Sequence, residues 1–170
     1  MKSDVLIRPM TAADIKNISN HFCPPWSTTQ KMTQLLETFY EEQKNKIRTV
    51  GILEKDKQIL GYGSLLRKSP YPHFSKIPEI STLWIDDKYR RQGLGKRLIL
   101  WLEELARDEG YTQVGLGVGL YQDYGPAQKL YSKLGYVPDG YGITYKHKTV
   151  TPGEKYPVDD ELLIWLVKTL

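Results

Sequence analysis

The segment Arg90-Arg91-Gln92-Gly93-Leu94-Gly95-Lys96 constrains this chain more than any other. It closes a polar loop, Asp86 to Gly93, that follows a strand-like run, Glu79 to Ile85. It also opens a stretch, Leu94 to Glu109, in which Leu94, Leu98, Trp101, Leu102 and Leu105 recur at helical spacing. The first turn of a helix carries backbone N–H groups with no intrahelical partner. With the positive end of the helix dipole, those groups attract an anion. Gly93 and Gly95 remove side chains that would hold a phosphate off the backbone, and Arg90, Arg91 and Lys96 add positive charge. A pyrophosphate is the natural guest.

Two familiar phosphate loops do not fit. A Walker loop needs four residues between its first glycine and a Gly-Lys-Ser/Thr ending. Here only Leu94 separates Gly93 from Gly95, and Arg97 stands where Ser or Thr is required. A dinucleotide-binding turn needs a third glycine where this chain has Leu98. Taken alone, the turn is equally compatible with two glycines that only tighten a loop before a helix.

The rest of the chain gives that turn a setting. Val5 to Arg8 reads as a strand, and Thr11 with Asp14 as the start of a helix carrying Ile15 and Ile18. A loop from His21 to Ser27 leads to a helix over Thr28 to Lys44, striped by Met32, Leu35, Leu36, Phe39 and Tyr40. Arg48 to Glu54 and Gln58 to Leu66 form a hairpin about Lys55-Asp56-Lys57, and Gly61 and Gly63 leave one face of its second strand bare. Pro70, Pro72 and Pro78 make Ser69 to Pro78 a loop. Gly110 is placed to end the central helix. Then come a strand over Thr112 to Val118, a helix over Pro126 to Leu134 ended by Gly135, and strands over Tyr136 to Lys148 and Leu162 to Lys168. This order predicts a mixed α/β fold, with about four helices flanking a mixed, mostly antiparallel sheet of about six to seven strands. Glu79 to Val118 should form a parallel strand–helix–strand unit. With 170 residues, no internal repeat and no linker, residues 1–170 read as a single domain.

Beyond the glycine turn lies a second motif, Leu130-Tyr131-Ser132-Lys133-Leu134-Gly135-Tyr136. The two together resemble the signatures of the GNAT superfamily of acyl-CoA-dependent N-acetyltransferases. Those are Gln or Arg, two residues, Gly, one residue, Gly or Ala, and then Leu-Tyr-x-x-x-Gly-Phe/Tyr. The matching element order covers nearly the whole chain. The resemblance implies a GNAT-like domain that takes acetyl-CoA as cosubstrate, uses no metal and acetylates a primary amine by direct attack on the thioester. It assigns the pyrophosphate to the turn, making Arg90, Arg91, Gln92, Gly93, Leu94, Gly95 and Lys96 cofactor-binding. It lays the pantetheine arm along the backbone of Leu83, Trp84 and Ile85.

The resemblance also makes Tyr131 the acid for the leaving thiolate. A phenol with a reference pKa of about 10 holds its proton at neutral pH. Tyr131 shares an apolar face with Leu130 and Leu134, so a core role is the alternative. Glu79 lies eleven residues before Arg90. That resembles the general base of the histone-acetylating branch, the alternative being a carboxylate facing solvent at a strand end. One position departs from the family. An asparagine often stands seven residues before the tyrosine, and here that position is Tyr124, a candidate for the same cofactor contact.

Composition narrows the function classes. A formal charge of +4, with Lys and Arg spread along the chain, suits a polyphosphate ligand and argues against nucleic acid. No apolar run is long enough to span a bilayer. Met1-Lys2-Ser3-Asp4 has no secretory pattern. The expectation is a cytoplasmic protein without a membrane partner. Cys23 is the only cysteine, so no intramolecular disulfide forms, and no Cys/His set has zinc spacing. The resemblance implies an acceptor side formed by the segments that carry Trp26, Tyr71, His73, Phe74, Tyr121, Asp123, Tyr141 and Tyr145, an aromatic surface suited to a cationic amine. Cover for the core is the alternative. A small-molecule amine is favoured over a protein amine, and a CoA-binding sensor without turnover is the alternative of another class. Gly140 to Pro157 is a candidate to cover the site or to pair with a second subunit as a homodimer, and the sequence leaves both open. Gly115 to Gly119 reads as a strand approached closely by a ligand or backbone, and Asp159-Asp160-Glu161 as a solvated turn.

Overall fold

A computed structural model describes residues 4–25 and 27–170. Met1-Lys2-Ser3 and Trp26, named above, lie outside the described residues. In chain order the elements are β1 (Leu6–Pro9), α1 (Ala12–His21), α2 (Thr29–Lys44), β2 (Arg48–Lys55), β3 (Gln58–Leu66), β4 (Glu79–Ile85), α3 (Leu94–Asp108), β5 (Gln113–Gly119), α4 (Gly125–Lys133), β6 (Val137–Tyr145), β7 (Lys148–Thr149) and β8 (Leu162–Thr169). Among the described residues this is the expected mixed α/β fold with four α-helices, and with eight strands. The extra strand arises because Tyr136 to Lys148 is not continuous. Lys146 and His147 turn the chain with φ of 50° and 64°, and Lys148–Thr149 folds back onto Thr144 and Tyr145.

The chain forms two units. The first comprises Met1–Arg67 and Thr82–Glu104. Its strand order is β1-β2-β3-β4, and β2 pairs antiparallel with both β1 and β3. The β2–β3 turn has Asp56 and Lys57 at φ of 51° and 65°, the mirror-image turn whose twist matches that of paired strands. Side chains alternate along β2. Val50 and Ile52 pack with Ile18 and Phe22 at α1 and with Leu36 and Phe39 of α2. On the opposite face, a Cβ on Gly51 would lie 2.7 Å from the Trp101 ring, and one on Gly63 would lie 2.8 Å from Leu83 and 3.1 Å from Leu98. The bare face expected at Gly61 and Gly63 is therefore space that α3 and β4 use. Arg8 of β1 ties this unit's first elements together. It donates to Asp14 of α1 at 2.7 and 2.9 Å and, through Nε, to Glu54 of β2 at 2.9 Å. The Thr11 N–H also donates to Asp14 at 2.7 Å, as the helix-start reading expects.

The second unit comprises Lys68–Ser81 and Leu105–Leu170. Here the first residues of β4 pair parallel with β5, which continues through β8 and β6 to β7. The expected parallel strand–helix–strand connection is present. β5 runs antiparallel to β8 from Gln113↔Thr169 to Gly119↔Leu163. β6 follows β8 until Pro138↔Leu166 and resumes at Ile143↔Ile164, so residues 139–142 bulge out opposite Trp165. Tyr71, Phe74 and Trp165 form a buried cluster backed by Ile77, Leu163 and Val167. The close approach expected along Gly115 to Gly119 is made by aromatic rings of the chain itself. An added Cβ would lie 2.3 Å from Phe74 at Gly115, 3.1 Å from Trp165 at Gly117 and 2.3 Å from Tyr124 at Gly119.

Candidate active site

In the first unit, β4 delivers the glycine turn. Thr82 has φ of 55°, a conformation costing a β-branched residue of order 1–3 kcal/mol. It immediately precedes Leu83, Trp84 and Ile85, all half-buried. Trp84 packs edge-on against Phe22 at 4.4 Å. A Cβ on Gly61 would lie 2.5 Å from the Trp84 carbonyl oxygen, so β3 approaches β4 closely only because that residue is glycine. Beyond Ile85, the Asp86 side chain accepts the Lys88 N–H at 3.0 Å and starts a 3-10 turn over Asp87–Tyr89. Arg90 braces the loop from within. Its Nε donates to the Ile85 carbonyl at 3.1 Å, and its guanidinium pairs with Asp87 at 2.7 Å.

The turn itself places Arg91 at φ of 60° and Gly93 at 78°. A Cβ on Gly93 would meet nothing within 4 Å, so backbone conformation requires the glycine, and the space above it is open. The ladder of α3 begins with the Arg97 N–H donating to the Gly93 carbonyl at 3.1 Å. The amides of Leu94, Gly95 and Lys96 therefore precede that ladder, at the positive end of the helix. Leu94 is buried and anchors the turn, while Arg91, Gln92 and Lys96 are exposed. Open space, three leading amides and exposed cations fit the oxyanions of a diphosphate.

In the second unit, Glu79 is buried at the start of β4, which removes the solvent-facing alternative. The Ser69 hydroxyl donates to Glu79 Oε2 at 2.5 Å, and the Tyr71 N–H donates to Ser69 Oγ at 3.1 Å. Ser69 is not among the residues that sequence motifs single out. Its only local signal is a serine before proline, poised to bond the backbone two residues on. Tyr71 is fixed on all sides. Its ring stacks on Trp165 at 4.0 Å and 3°, and its hydroxyl donates to Asp139 at 2.7 Å. Burial and that hydrogen bond push its phenol well above the ordinary value.

Tyr131 lies on α4 and is also buried. Among the described residues its hydroxyl has no hydrogen-bond partner, and burial pushes its pKa up to about 12. A tyrosine serving only the core normally finds a partner for its hydroxyl. Tyr131 instead keeps a proton uncommitted within the chain. Tyr124 differs, since its hydroxyl donates to Asp160 at 2.9 Å and its ring covers Gly119. Tyr121 donates to the same carboxylate oxygen, and Tyr145 donates to Asp159 at 3.1 Å. The segment expected as a solvated turn is a turn with Asp160 and Glu161 exposed, and it also receives three phenols. A cofactor contact in which the Tyr124 hydroxyl donates would have to displace Asp160.

The aromatic residues of the acceptor reading divide the same way. Tyr71 and Phe74 are core, and Tyr121 and Tyr145 are tied to aspartates. His73 and Tyr141 are exposed and stack face to face at 3.6 Å and 7°. Gly140 and Gly142, at φ of 92° and 77°, carry Tyr141 on the β6 bulge. Among the described residues, no cluster of His, Cys, Asp or Glu is placed to hold a metal ion. None of the described helices is long and apolar enough to cross a membrane.

Residues 13–136 match the family described as "Acetyltransferase (GNAT) family". A Bacillus subtilis protein named as a ribosomal protein bS18-alanine N-acetyltransferase is 27% identical over 149 residues, spanning 85% of this chain and 89% of the relative. The chain spans 39% of rat N-acetyltransferase 8, with 36% identity over 90 residues, or 52% of this chain. The yncA protein of Salmonella typhimurium, solved with its cofactor acetyl-CoA, superposes with a TM-score of 0.67 at 20% identity, covering 98% of this chain and 94% of that one.

Proposed function

This chain belongs to the acetyltransferase (GNAT) family and is an acetyl-CoA-dependent N-acetyltransferase, and from that premise we propose that it acetylates a small primary amine by direct attack on the thioester. The observation that carries the reading is the Arg91–Lys96 turn. Its left-handed Gly93 leaves open space in front of the amides that lead α3, where the pyrophosphate of the cosubstrate would sit. The backbone of Leu83, Trp84 and Ile85 would carry the pantetheine arm. Tyr124 enters as a ring wall rather than as a donor. The reading treats residues 1–170 as one catalytic domain, in line with a family match that includes residues of both units. It also places the enzyme in the cytoplasm, in keeping with its one free cysteine.

In this reading Glu79 takes a proton from the acceptor ammonium. The amine nitrogen then forms its bond to the acetyl carbon as the carbon–sulfur bond breaks, and Tyr131 gives its proton to the departing thiolate. The second proton that the nitrogen sheds on becoming an amide reprotonates the Tyr131 phenolate, while Glu79 returns its own proton to water. A small acceptor is supported by the limited aromatic surface that the second unit exposes, the His73–Tyr141 pair. A protein α-amine is the second reading, favoured by the name of the Bacillus subtilis relative.

Calorimetric titration with acetyl-CoA tests the first half of the proposal, with saturation near one per chain expected. Thiol release with spermidine, tyramine, kanamycin and an alanine-leading hexapeptide tests the second. Turnover of the peptide alone would replace the small-molecule reading with the protein one. Binding without release by any probe would leave the acceptor outside both classes tested.

A further inference from the structure

We propose that Ser69 is a positioning residue for Glu79, a one-proton donor whose direction is set by the backbone of Tyr71. The inference rests on the reading of Glu79 as the base, and it starts from the run Ser69-Pro70-Tyr71-Pro72. A serine followed by proline readily closes a turn in which the hydroxyl oxygen accepts the N–H two residues on. That bond is present, with the Tyr71 N–H donating to Ser69 Oγ at 3.1 Å. A hydroxyl has a single proton to give. With its oxygen engaged by the amide, the Ser69 proton points to Glu79 Oε2 at 2.5 Å, the short separation of a hydroxyl bonded to a carboxylate.

The support behind Ser69 is rigid. Tyr71 is stacked on Trp165, set edge-on to Phe74 at 4.9 Å, and bonded through its hydroxyl to Asp139. The Trp165 indole N–H in turn donates to Thr144 at 2.8 Å. The amide that orients Ser69 is therefore attached to the buried Tyr71–Phe74–Trp165 cluster of the second unit. Two effects on Glu79 follow. One carboxylate oxygen is held in place, which fixes the plane of the group. The bond also favours the ionised form, the form that accepts a proton from an ammonium, because a donor stabilises the charged carboxylate.

The test uses the full chain. Glutamate labelled with 13C at the carboxyl is incorporated, and the Glu79 signal is identified by its loss in Glu79→Gln. Ser69→Ala is expected to move the Glu79 titration midpoint to higher pH, and Ser69→Thr to restore it. With the most active of the four amine probes, Ser69→Ala should move the acid limb of kcat/KM the same way. It should lower kcat roughly 3- to 10-fold while leaving KM for acetyl-CoA unchanged. Melting curves within a few degrees of wild type, about the spread of a surface change, certify the fold. An unmoved midpoint in Ser69→Ala overturns the proposal while the base reading stands. If Glu79→Gln keeps the wild-type acid limb, the base reading falls and the role of Ser69 falls with it.

Discussion

Glu79 and Gly115 are register partners across the parallel pair of β4 and β5, and the Gly115 N–H donates to the Pro78 carbonyl at 3.0 Å. Gly115 also faces the edge of Phe74, where an added Cβ would lie 2.3 Å from two ring atoms. Phe74 is 1% exposed, so the ring has nowhere to retreat. Gly115→Ala is expected to destabilise the protein by about 1–3 kcal/mol, a fall of roughly 3–10 °C in Tm. Thermal denaturation followed by circular dichroism reads this directly. A wild-type melting curve would mean that the Phe74 loop shifts at no cost.

Gly93 poses the opposite situation, with free space but a left-handed backbone. Gly93→Ala meets no atom and carries only the conformational strain, on the order of 1 kcal/mol. Gly93→Asp adds a negative charge in front of the leading amides of α3. The aspartate variant is expected to weaken CoA binding at least about tenfold more than the alanine variant at moderate salt. Equal affinities in a calorimetric titration would remove the pyrophosphate from this turn.

The helices were legible because their buried faces recur at a fixed spacing and glycines follow their ends, as Gly110 and Gly135 do with φ of 86° and 90°. β7 was not, because its turn uses Lys146 and His147 where glycine or asparagine would announce a left-handed pair. The kink at Thr82 is hidden for the same reason. At the site, Arg90 to Gly95 and Tyr131 were legible because they form motifs of fixed spacing. Ser69 was not, because its partner Glu79 is brought to it by the path of the 69–78 loop. Tyr124 is a candidate for a cofactor contact by its place seven residues before Tyr131, whereas its bond to Asp160, 36 residues on, has no local mark in the sequence.

Tyr131→Phe separates the acid role from packing. Losing only a hydroxyl with no partner among the described residues should leave the acetyl-CoA Kd unchanged and lower kcat by about 10²-fold or more. Wild-type turnover would return this side chain to the core. Stability gives an independent check. Burial raises the folded pKa to about 12 from 10.0, so below pH 10 the phenol is protonated in both states. Between those values the unfolded chain releases the proton first, and stability falls as pH rises. The loss is on the order of 2–3 kcal/mol. Tyr131→Phe should remove it from the alkaline denaturation profile, leaving the losses expected from Tyr62, whose pKa burial also raises to about 12, and from Tyr71 and Tyr124, which burial also pushes up.

Arg8→Met tests the acid side. Asp14 is 6% exposed, and Arg8 is its cationic partner. Burial pushes the Asp14 carboxyl up, but the hydrogen bonds from Arg8 and from the Thr11 N–H and hydroxyl outweigh it, and the net shift is downward. A carboxylate with a depressed folded pKa contributes stability above its unfolded value of 3.8, and that stability is lost as pH falls through the folded pKa. Without Arg8, burial is opposed only by the Thr11 hydrogen bonds, so less of the downward shift survives and protonating Asp14 costs the folded chain less. The variant should be less stable than wild type by about 2–4 kcal/mol at neutral pH. That difference should shrink as the pH drops below about 4, because protonated Asp14 no longer needs a counterion. Urea denaturation of both proteins across this range gives the comparison. A gap that stays constant with pH would show that Arg8 stabilises the junction of β1, α1 and β2 by packing its stem and not by pairing with Asp14.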